Sequence, residues 1–374
     1  MRSPAVVRTF QERFAQVGFK GPGFDVLRIA AASIVVLHHC FTIQYDAVRV
    51  DPFYRLTNGF IHIGYWAVAV FFVISGFLVT PGLKRSGNVV DFAVRRITRI
   101  YPALVIVVLI TVFALGPAIS TLSVGEYFRN GETWKYLRNI IPLTEDFLPG
   151  VNLQSGQPLE VNGALWTLYF EVFAYAVLGA TALMGALRHR IIVLTVFVAI
   201  LFTELALKYG LLPTNLLPGR VVTFLGLFQY FCAGVVIYLY AVKVLLLASM
   251  PLQLAPIVLP LTTAYISLYL GLADLPFRHF FANRDLSYGI YLLHAPVLTA
   301  LRLTVPELSS WWLAVCIVWP CSAGLALLSW VFVENPALKR KSKLARFATR
   351  VFERIGDIAP PARILTGKHL KVAA

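Results

Sequence analysis

Long apolar segments recur along this chain, and they constrain its fold more than any other feature. A helix that crosses a bilayer needs about 20 mainly apolar residues. Of the 374 residues, 58% are hydrophobic and 14% are charged, whereas soluble domains average about 25% charged. Too little charge remains to cover a soluble core. The pattern predicts an all-α, polytopic bundle of transmembrane helices, with spans at 24–45, 62–80, 100–119, 163–187, 191–207, 221–240, 286–303 and 311–333.

The region 244–272 leaves the number of crossings open. It is apolar but contains Pro251, Pro256 and Pro260, so it is long enough for one tilted span or for two short ones. Loops rich in Lys and Arg stay in the cytoplasm, and the tail beyond Pro336 has ten basic residues against two acidic ones. With both termini in the cytoplasm the count must be even, which favours about ten spanning helices.

The distribution of charge and cysteine indicates one membrane domain with polar ends. There are 33 Lys and Arg against 18 Asp and Glu, an excess that basic cytoplasmic loops explain better than nucleic-acid binding. The four cysteines lie in apolar stretches without metal-ligand spacing. We divide the chain into a cytoplasmic segment 1–23, without the features of a cleaved signal peptide, a transmembrane domain 24–336 and a basic cytoplasmic tail 337–374. No bound metal or cofactor and no nucleic-acid partner are expected.

Two ionisable side chains lie in the first apolar segment, where they are costly and therefore candidate functional residues. Arg28 and His39 are eleven residues apart, three helical turns and roughly 16 Å of rise, so they share one helix face. Histidine suits general-base catalysis because its ordinary pKa is near neutrality. Alternatively, His39 is a hydrogen-bonded residue of the bundle interior. The neighbouring His38 points about 100° away and is interpreted as structural.

A carboxylate, Glu171, follows Trp166 by five residues in another apolar segment. A buried carboxylate needs a partner, and Arg28 or His39 is the expected one. The alternative is a packing salt bridge without a chemical role.

Arginines cluster after the second segment. Arg95, Arg96 and Arg99 lie in a stretch that we interpret as a cytoplasmic loop, and guanidinium groups suit phosphate recognition. A cytosolic donor that carries phosphates would bind there. The alternative is anchoring by the positive-inside rule.

Polar groups of two further segments complete the candidate set. Ser75, next to Gly76, allows a polar contact or close helix approach. Tyr291 and His294 are three residues apart and share a face of a late segment. A hydrogen-bonded pair at the membrane interface is the alternative interpretation.

Taken in order, these stretches resemble the acyltransferase 3 family, whose members transfer acyl groups to sugars and lipids at membranes. The resemblance covers about residues 24–336. Where the family has Trp-Ser-Leu-Ser, this chain has Thr167 and Tyr169 at the serine positions. The matching residues are Arg28 with His39, the segment 71–77, Arg96 with Arg99, Trp166 with Leu168 and Glu171, the segment 287–294, and Glu334 with Pro336.

The resemblance implies a ten-helix, multi-pass protein of the bacterial inner membrane that moves an acyl group from cytosolic acyl-CoA, most commonly acetyl-CoA, to a sugar hydroxyl. The expected acceptor is a surface or lipid-linked glycan, and the type is the stand-alone exopolysaccharide O-acetyltransferase, working alone or with polysaccharide-assembly proteins. It assigns catalysis to His39, Arg28 and Glu171, and donor binding to Arg95, Arg96 and Arg99. The candidates on the acceptor side are Tyr291, His294, Trp166 and Ser75.

Two other classes of function fit the same residues less well. A secondary transporter or flippase would use intramembrane Arg, His and Glu to move ions or substrate, but the chain has no detectable internal repeat. A structural subunit of an export complex would not need His39.

Overall fold

The computed structural model is helical through almost all of the chain that it describes. Its β structure in this part is an isolated bridge between Asn152 and Pro158. The described residues are 10–18, 21–41, 51–57, 59, 61–141, 143–213, 215–240, 255–275, 285–305, 308 and 310–358.

Nine long helices, α1 to α9, form the bundle within these residues, and a tenth helix, α10, extends from the last of them. Short helices lie at Phe10–Gln16, Pro52–Leu56, Val124–Arg129 and Gly131–Lys135. The long helices are α1 Phe24–Phe41, α2 Ile63–Ser86, α3 Val89–Ile110, α4 Trp166–Leu183, α5 Arg190–Lys208, α6 Gly219–Tyr240, α7 Ala255–Leu272, α8 Ser287–Thr304, α9 Trp311–Ser329 and α10 Asn335–Ile358.

The all-helical prediction is confirmed for the described part of the chain. Seven of its helices are long and apolar enough to cross a membrane. Residues 241–254 lie outside the described residues, so the choice between one and two crossings in 244–272 stays a prediction. The total of ten spans and the cytoplasmic location of both termini stay predictions as well.

The stretch that contains Arg95, Arg96 and Arg99, interpreted above as a loop, is helical. From Lys84 to Arg99 the chain is helix except for the turn at Gly87 and Asn88. Gly87 closes α2 in the left-handed conformation (φ 57°), and the Asn88 side chain accepts from the Asp91 N–H to start α3. Hydropathy locates the apolar part of a helix, not its ends, so the polar first turns of α3 were missed.

The chain stays helical beyond the last predicted span. Pro336 does not interrupt the helix, because α9 continues through a π-helical turn, Trp330–Glu334, into α10. The change of hydrogen-bond register places Pro336 at the second residue of α10, where a missing N–H is tolerated. The first part of the predicted polar tail is therefore a long basic helix packed against α3.

Helices α2 and α6 form the centre of the bundle, and glycines let them approach closely. A Cβ atom on Gly76 would lie 2.1 Å from the carbonyl oxygen of Phe231, and one on Gly234 would lie 2.3 Å from that of Val73. Such small residues give the close backbone packing typical of membrane helices. The α2–α6 contact therefore fixes the position of α2 and of the polar residues that it carries.

The connection between α3 and α4 contacts the middle of α8. The Asn162 side chain donates to the Leu292 carbonyl (3.0 Å), and the Thr299 hydroxyl donates to that of Glu160 (3.0 Å). At its start, hydrogen bonds from Ser123 lower the pKa of Glu126 and complete a helix-capping pair. The connection thus fixes the part of α8 that carries Tyr291 and His294.

Replacing Gly76 with alanine should destabilise the bundle, because the new methyl group collides with the backbone of α6. Overpacking of this kind costs about 1–3 kcal/mol. The matched control is Gly82→Ala on the same helix, where a Cβ atom meets nothing within 4 Å. Thermal unfolding of the detergent-purified protein should show a lower midpoint for Gly76→Ala alone, and equal midpoints for the two variants would contradict this packing.

Candidate active site

A buried ion-pair network joins four elements at one end of the bundle, which we call the basic end. Asp285, just before α8, accepts from Arg28 of α1 (3.2 Å) and from Arg99 of α3. Arg99 also donates to Glu334 in the π turn after α9 (3.3 Å). Both guanidiniums are 23% exposed, and Glu334 is 2% exposed. One carboxylate thus pairs with two arginines from different helices.

The two other arginines of α3 differ from each other. Arg95 donates to Asp91 one turn earlier (2.8 Å) and does not line the central cavity. Arg96 lies with its guanidinium 5.6 Å from the centre of the Tyr175 ring, and its buried Nε has no hydrogen-bond partner among the described residues. Arg96 therefore carries a charge that no carboxylate of the described chain neutralises within ion-pair distance.

A cavity runs from the basic end toward the middle of the bundle between α1, α2, α3, α4 and α8. Arg28, Arg96 and Arg99 line its basic end, and Tyr291 lies on the side of α8 that leads to His294. The residues between these limits are apolar apart from a few hydroxyl groups and one carboxylate. Those that carry the polar groups are Ser75, Thr167, Glu171, Tyr175, Ser287 and Tyr288.

The carboxylate in the cavity wall is Glu171, and its predicted partners were wrong. Its Oε1 accepts from the Tyr175 hydroxyl (2.6 Å) and the Ser75 hydroxyl (3.3 Å), not from Arg28 or His39. Tyr175 follows Glu171 by four residues on α4, a spacing that places both on one face. The pairing of Glu171 with Arg28 predicted from the sequence was wrong because Asp285 supplies the counter-charge of Arg28.

The acceptor-side candidates separate into two places. Tyr291 shares a hydrogen bond with Thr167, and both hydroxyls reach the Ala164 carbonyl. Trp166, one residue before Thr167, points away from the cavity and lines a separate pocket with Tyr169 and Arg220.

Two histidines from different helices meet beyond the Tyr291 end of the cavity. His294 Nε2 lies 2.9 Å from His39 Nδ1, and the His294 side chain is fully buried. This pairing explains the intramembrane histidines of both α1 and α8. Eleven residues of α1, roughly 16 Å of helix rise, separate His39 from Arg28, so Arg28 belongs to the basic end and not to the histidine pair.

The hydrogen-bond partners assign the proton of each neutral ring to Nδ1. His294 Nδ1 lies 2.8 Å from the carbonyl oxygen of Tyr291, which can only accept, so Nδ1 is the donor and Nε2 of the neutral ring is an acceptor. His39 Nδ1 then donates to His294 Nε2, and its 3.1 Å contact with the Val35 carbonyl agrees with that role.

His38 belongs to a second cluster with Asp51 and His62, whose potential ligand atoms lie within 4.8 Å of one another. The Asp51 carboxylate accepts from the Phe53 N–H (2.8 Å) and the Ile63 N–H (2.6 Å), and the two imidazoles stack at 4.6 Å and 4°. The His62 side chain also caps α2 by accepting from the Tyr65 N–H. The cluster therefore lies at the start of α2, and the structural interpretation of His38 stays a prediction.

Sequence reasoning missed Asp285 and undervalued Glu334. Asp285 lies two residues before Ser287, at the edge of a segment that was chosen for its hydropathy. An acidic residue is common at the start of a helix, so Asp285 did not stand out as a functional residue. Glu334 entered the sequence analysis only as part of the family resemblance. One signal in the sequence could have revealed them. Arginines outnumber carboxylates in α1 and α3, so carboxylates from other segments were needed as their counter-charges.

The central part of the chain matches a family of known proteins. Residues 22–285 match the model of an acyltransferase domain. The chain belongs to the acyltransferase 3 family. The match includes α1 to α7 and ends at Asp285, so the family comparison covers the arginines of α3 and His39 but not His294 or α10.

The chain is similar to two known proteins, one of which is named an O-acetyl transferase. Nodulation protein 10 of Rhizobium leguminosarum bv. viciae is 28% identical over 358 residues, 86% of this chain and 94% of the relative. An O-acetyl transferase of Shigella phage Sf6 is 32% identical over 179 residues, 47% of this chain and 51% of the phage protein. No solved structure is significantly similar to the chain. The protein is therefore a membrane acyltransferase.

Replacing Asp285 with asparagine should destabilise this acyltransferase, because two guanidiniums lose a buried counter-charge. Breaking a buried pair costs about 3–5 kcal/mol. The matched control, Asp274→Asn, removes an ion pair with Arg13 whose side chains are 42% and 59% exposed, and exposed pairs contribute about 0–1 kcal/mol. Equal thermal midpoints for the two variants in detergent would contradict a stabilising role for the network.

Proposed function

We propose that the protein is a bacterial inner-membrane O-acyltransferase that moves an acyl group, acetyl in the first instance, from cytosolic acyl-CoA to a sugar hydroxyl of a surface or lipid-linked glycan. The observation that carries the proposal is the cavity that connects three arginines with the neighbourhood of a tautomer-fixed histidine pair. Such a cavity suits a donor with phosphates at one end and a reactive thioester at the other.

The basic end holds the donor. Arg96 and Arg99 contact the phosphates, since guanidinium groups bind phosphate oxygens with charge-assisted hydrogen bonds. Arg28 shares Asp285 with Arg99 and so orients the cluster. The family resemblance instead implied a catalytic role for Arg28. In this proposal the basic end faces the cytoplasm, in agreement with the positive-inside rule.

The middle of the cavity accommodates the arm of the donor. A pantetheine arm is an extended chain with two amide N–H groups, and the roughly 16 Å between the levels of Arg28 and His39 requires an extended group of this kind. Glu171, held by Ser75 and Tyr175, faces the cavity as an acceptor for an amide N–H. Its role is donor positioning, not orientation of the imidazole.

Proton transfer occurs at the histidine pair. The His39 imidazole takes the proton of the acceptor hydroxyl as its oxygen attacks the thioester carbonyl. The tetrahedral intermediate then loses the thiolate as the carbon–sulfur bond breaks, and the imidazolium returns the proton to that thiolate. The products are the sugar ester and free CoA. His294 keeps His39 in the tautomer that this step needs, and the Tyr291 and Thr167 hydroxyls line the approach to the carbonyl.

Replacing His39 with glutamine should abolish ester formation in cells. The measurement is the O-acetyl content of the extracellular polysaccharide of the producing bacterium, compared between the wild type, a deletion strain and the deletion strain complemented at equal expression. Loss of a general base lowers the rate by about 10²–10⁴, so His39→Gln should leave the content at the level of the deletion strain. His189→Gln, at an exposed position between α4 and α5, should restore it.

Full complementation by His39→Gln would overturn the mechanism. Unchanged ester content in the deletion strain, together with membranes that do not consume labelled acetyl-CoA, would instead favour the transporter alternative.

A further inference from the structure

Helix α10 runs antiparallel to α3 along the arginine cluster. Two contacts set the register: Arg99 pairs with Glu334 (3.3 Å), and the Asn88 side chain donates to the Thr349 hydroxyl (3.2 Å). The first turns of α3, with Arg95 and Arg96, therefore lie opposite the first half of α10. Nothing in the family match or in the sequence motifs covers this half of α10.

Lys341 lies on the face of α10 that meets α3. Glu334, Lys341 and Ala345 follow at intervals of seven and four residues, a spacing that aligns them on one helix face. Ala345 is fully buried and Lys341 is partly buried, so this face packs inward. Lys343, two residues on, is exposed and points to the opposite side.

The surroundings of Lys341 are strongly positive. The register of α3 and α10 places it near Arg95 and Arg96, and burial, together with the charges of Arg95, Arg96 and Arg99, lowers its pKa. Three of the nearby carboxylates are engaged in ion pairs, Asp91 with Arg95, and Asp285 and Glu334 with Arg99. Among the described residues, neither Lys341 nor Arg96 has a carboxylate within ion-pair distance. Cations held this close repel one another and favour a polyanionic ligand.

The order of the cations along α3 matches the order of phosphates in the proposed donor. Arg99 and Arg96 line the cavity, whereas Lys341 is not a lining residue and lies nearer the Asn88 end of α3 than Arg99 does. In CoA the pyrophosphate follows the pantetheine arm, and the 3′-phosphate on the ribose is the outermost anion. The deeper arginines therefore suit the pyrophosphate, and the outer lysine suits the 3′-phosphate.

We propose that Lys341 of α10 binds the ribose 3′-phosphate of the donor and thereby distinguishes CoA from dephospho-CoA. This assignment rests on the proposed function, because it presupposes a CoA thioester as donor. It gives the basic helix after the last apolar segment a part in substrate selection.

The experiment compares the binding of labelled CoA and dephospho-CoA, which differ only by the 3′-phosphate, to the purified full-length protein in detergent. The wild type should bind CoA more tightly, roughly tenfold or more for one charge-assisted contact. Lys341→Ala should lower the affinity for CoA to that for dephospho-CoA and leave the latter unchanged, which also shows that the variant is folded. Lys341→Arg should retain the preference, and so should the control Lys343→Ala.

An unchanged preference for CoA in Lys341→Ala, or an equal loss of affinity for both ligands, would overturn the assignment. A wild-type protein that binds neither ligand would instead refute the CoA donor of the proposed function. The two failures are therefore distinguishable.

Discussion

The carboxylate of Asp285 is the point on which the arrangement of the site depends. It accepts from Arg28 of α1 and Arg99 of α3 at the start of α8, and Arg99 extends the network to Glu334 after α9. Two partly buried guanidiniums without this counter-charge would carry a large desolvation penalty. Because the network fixes the relative heights of α1 and α8, it also aligns His39 with His294 about three turns farther along α1.

The site consequently has two ends with different chemistry. At the basic end, Arg28 and Arg99 are paired with carboxylates. Beside them lie Arg96 and Lys341, which have no carboxylate in ion-pair contact in the described chain. This combination suits a polyphosphate group. At the other end, the two imidazoles are oriented by backbone carbonyls of Val35 and Tyr291. A cavity that connects an anion-binding region to a base agrees with membership of the acyltransferase family. We propose that the basic end binds the donor and that the histidine pair at the other end transfers the proton.

Much of the helical framework followed from hydropathy, since eight apolar segments predicted from sequence correspond to long helices of the described chain. The polar residues of the site were recognised because charge is rare in lipid. Their pairing was not, because it depends on Asp285 and Tyr175, neither of which stands out in the sequence. The helical start of α3 and the continuation into α10 were missed for a related reason. Both are polar stretches stabilised by contacts with each other, which no local pattern reports.

Steady-state kinetics of acetyl-CoA turnover, with membranes of the producing bacterium as acceptor, test the two-ended site most directly. His294→Ala removes the nitrogen that accepts from His39, so kcat should fall by about 10²-fold or more while KM for acetyl-CoA stays near the wild-type value. Arg96→Ala should do the reverse, raising KM with kcat largely retained. If His294→Ala raised only KM, or if both variants changed the same constant, the proposed separation of donor binding from proton transfer would be contradicted.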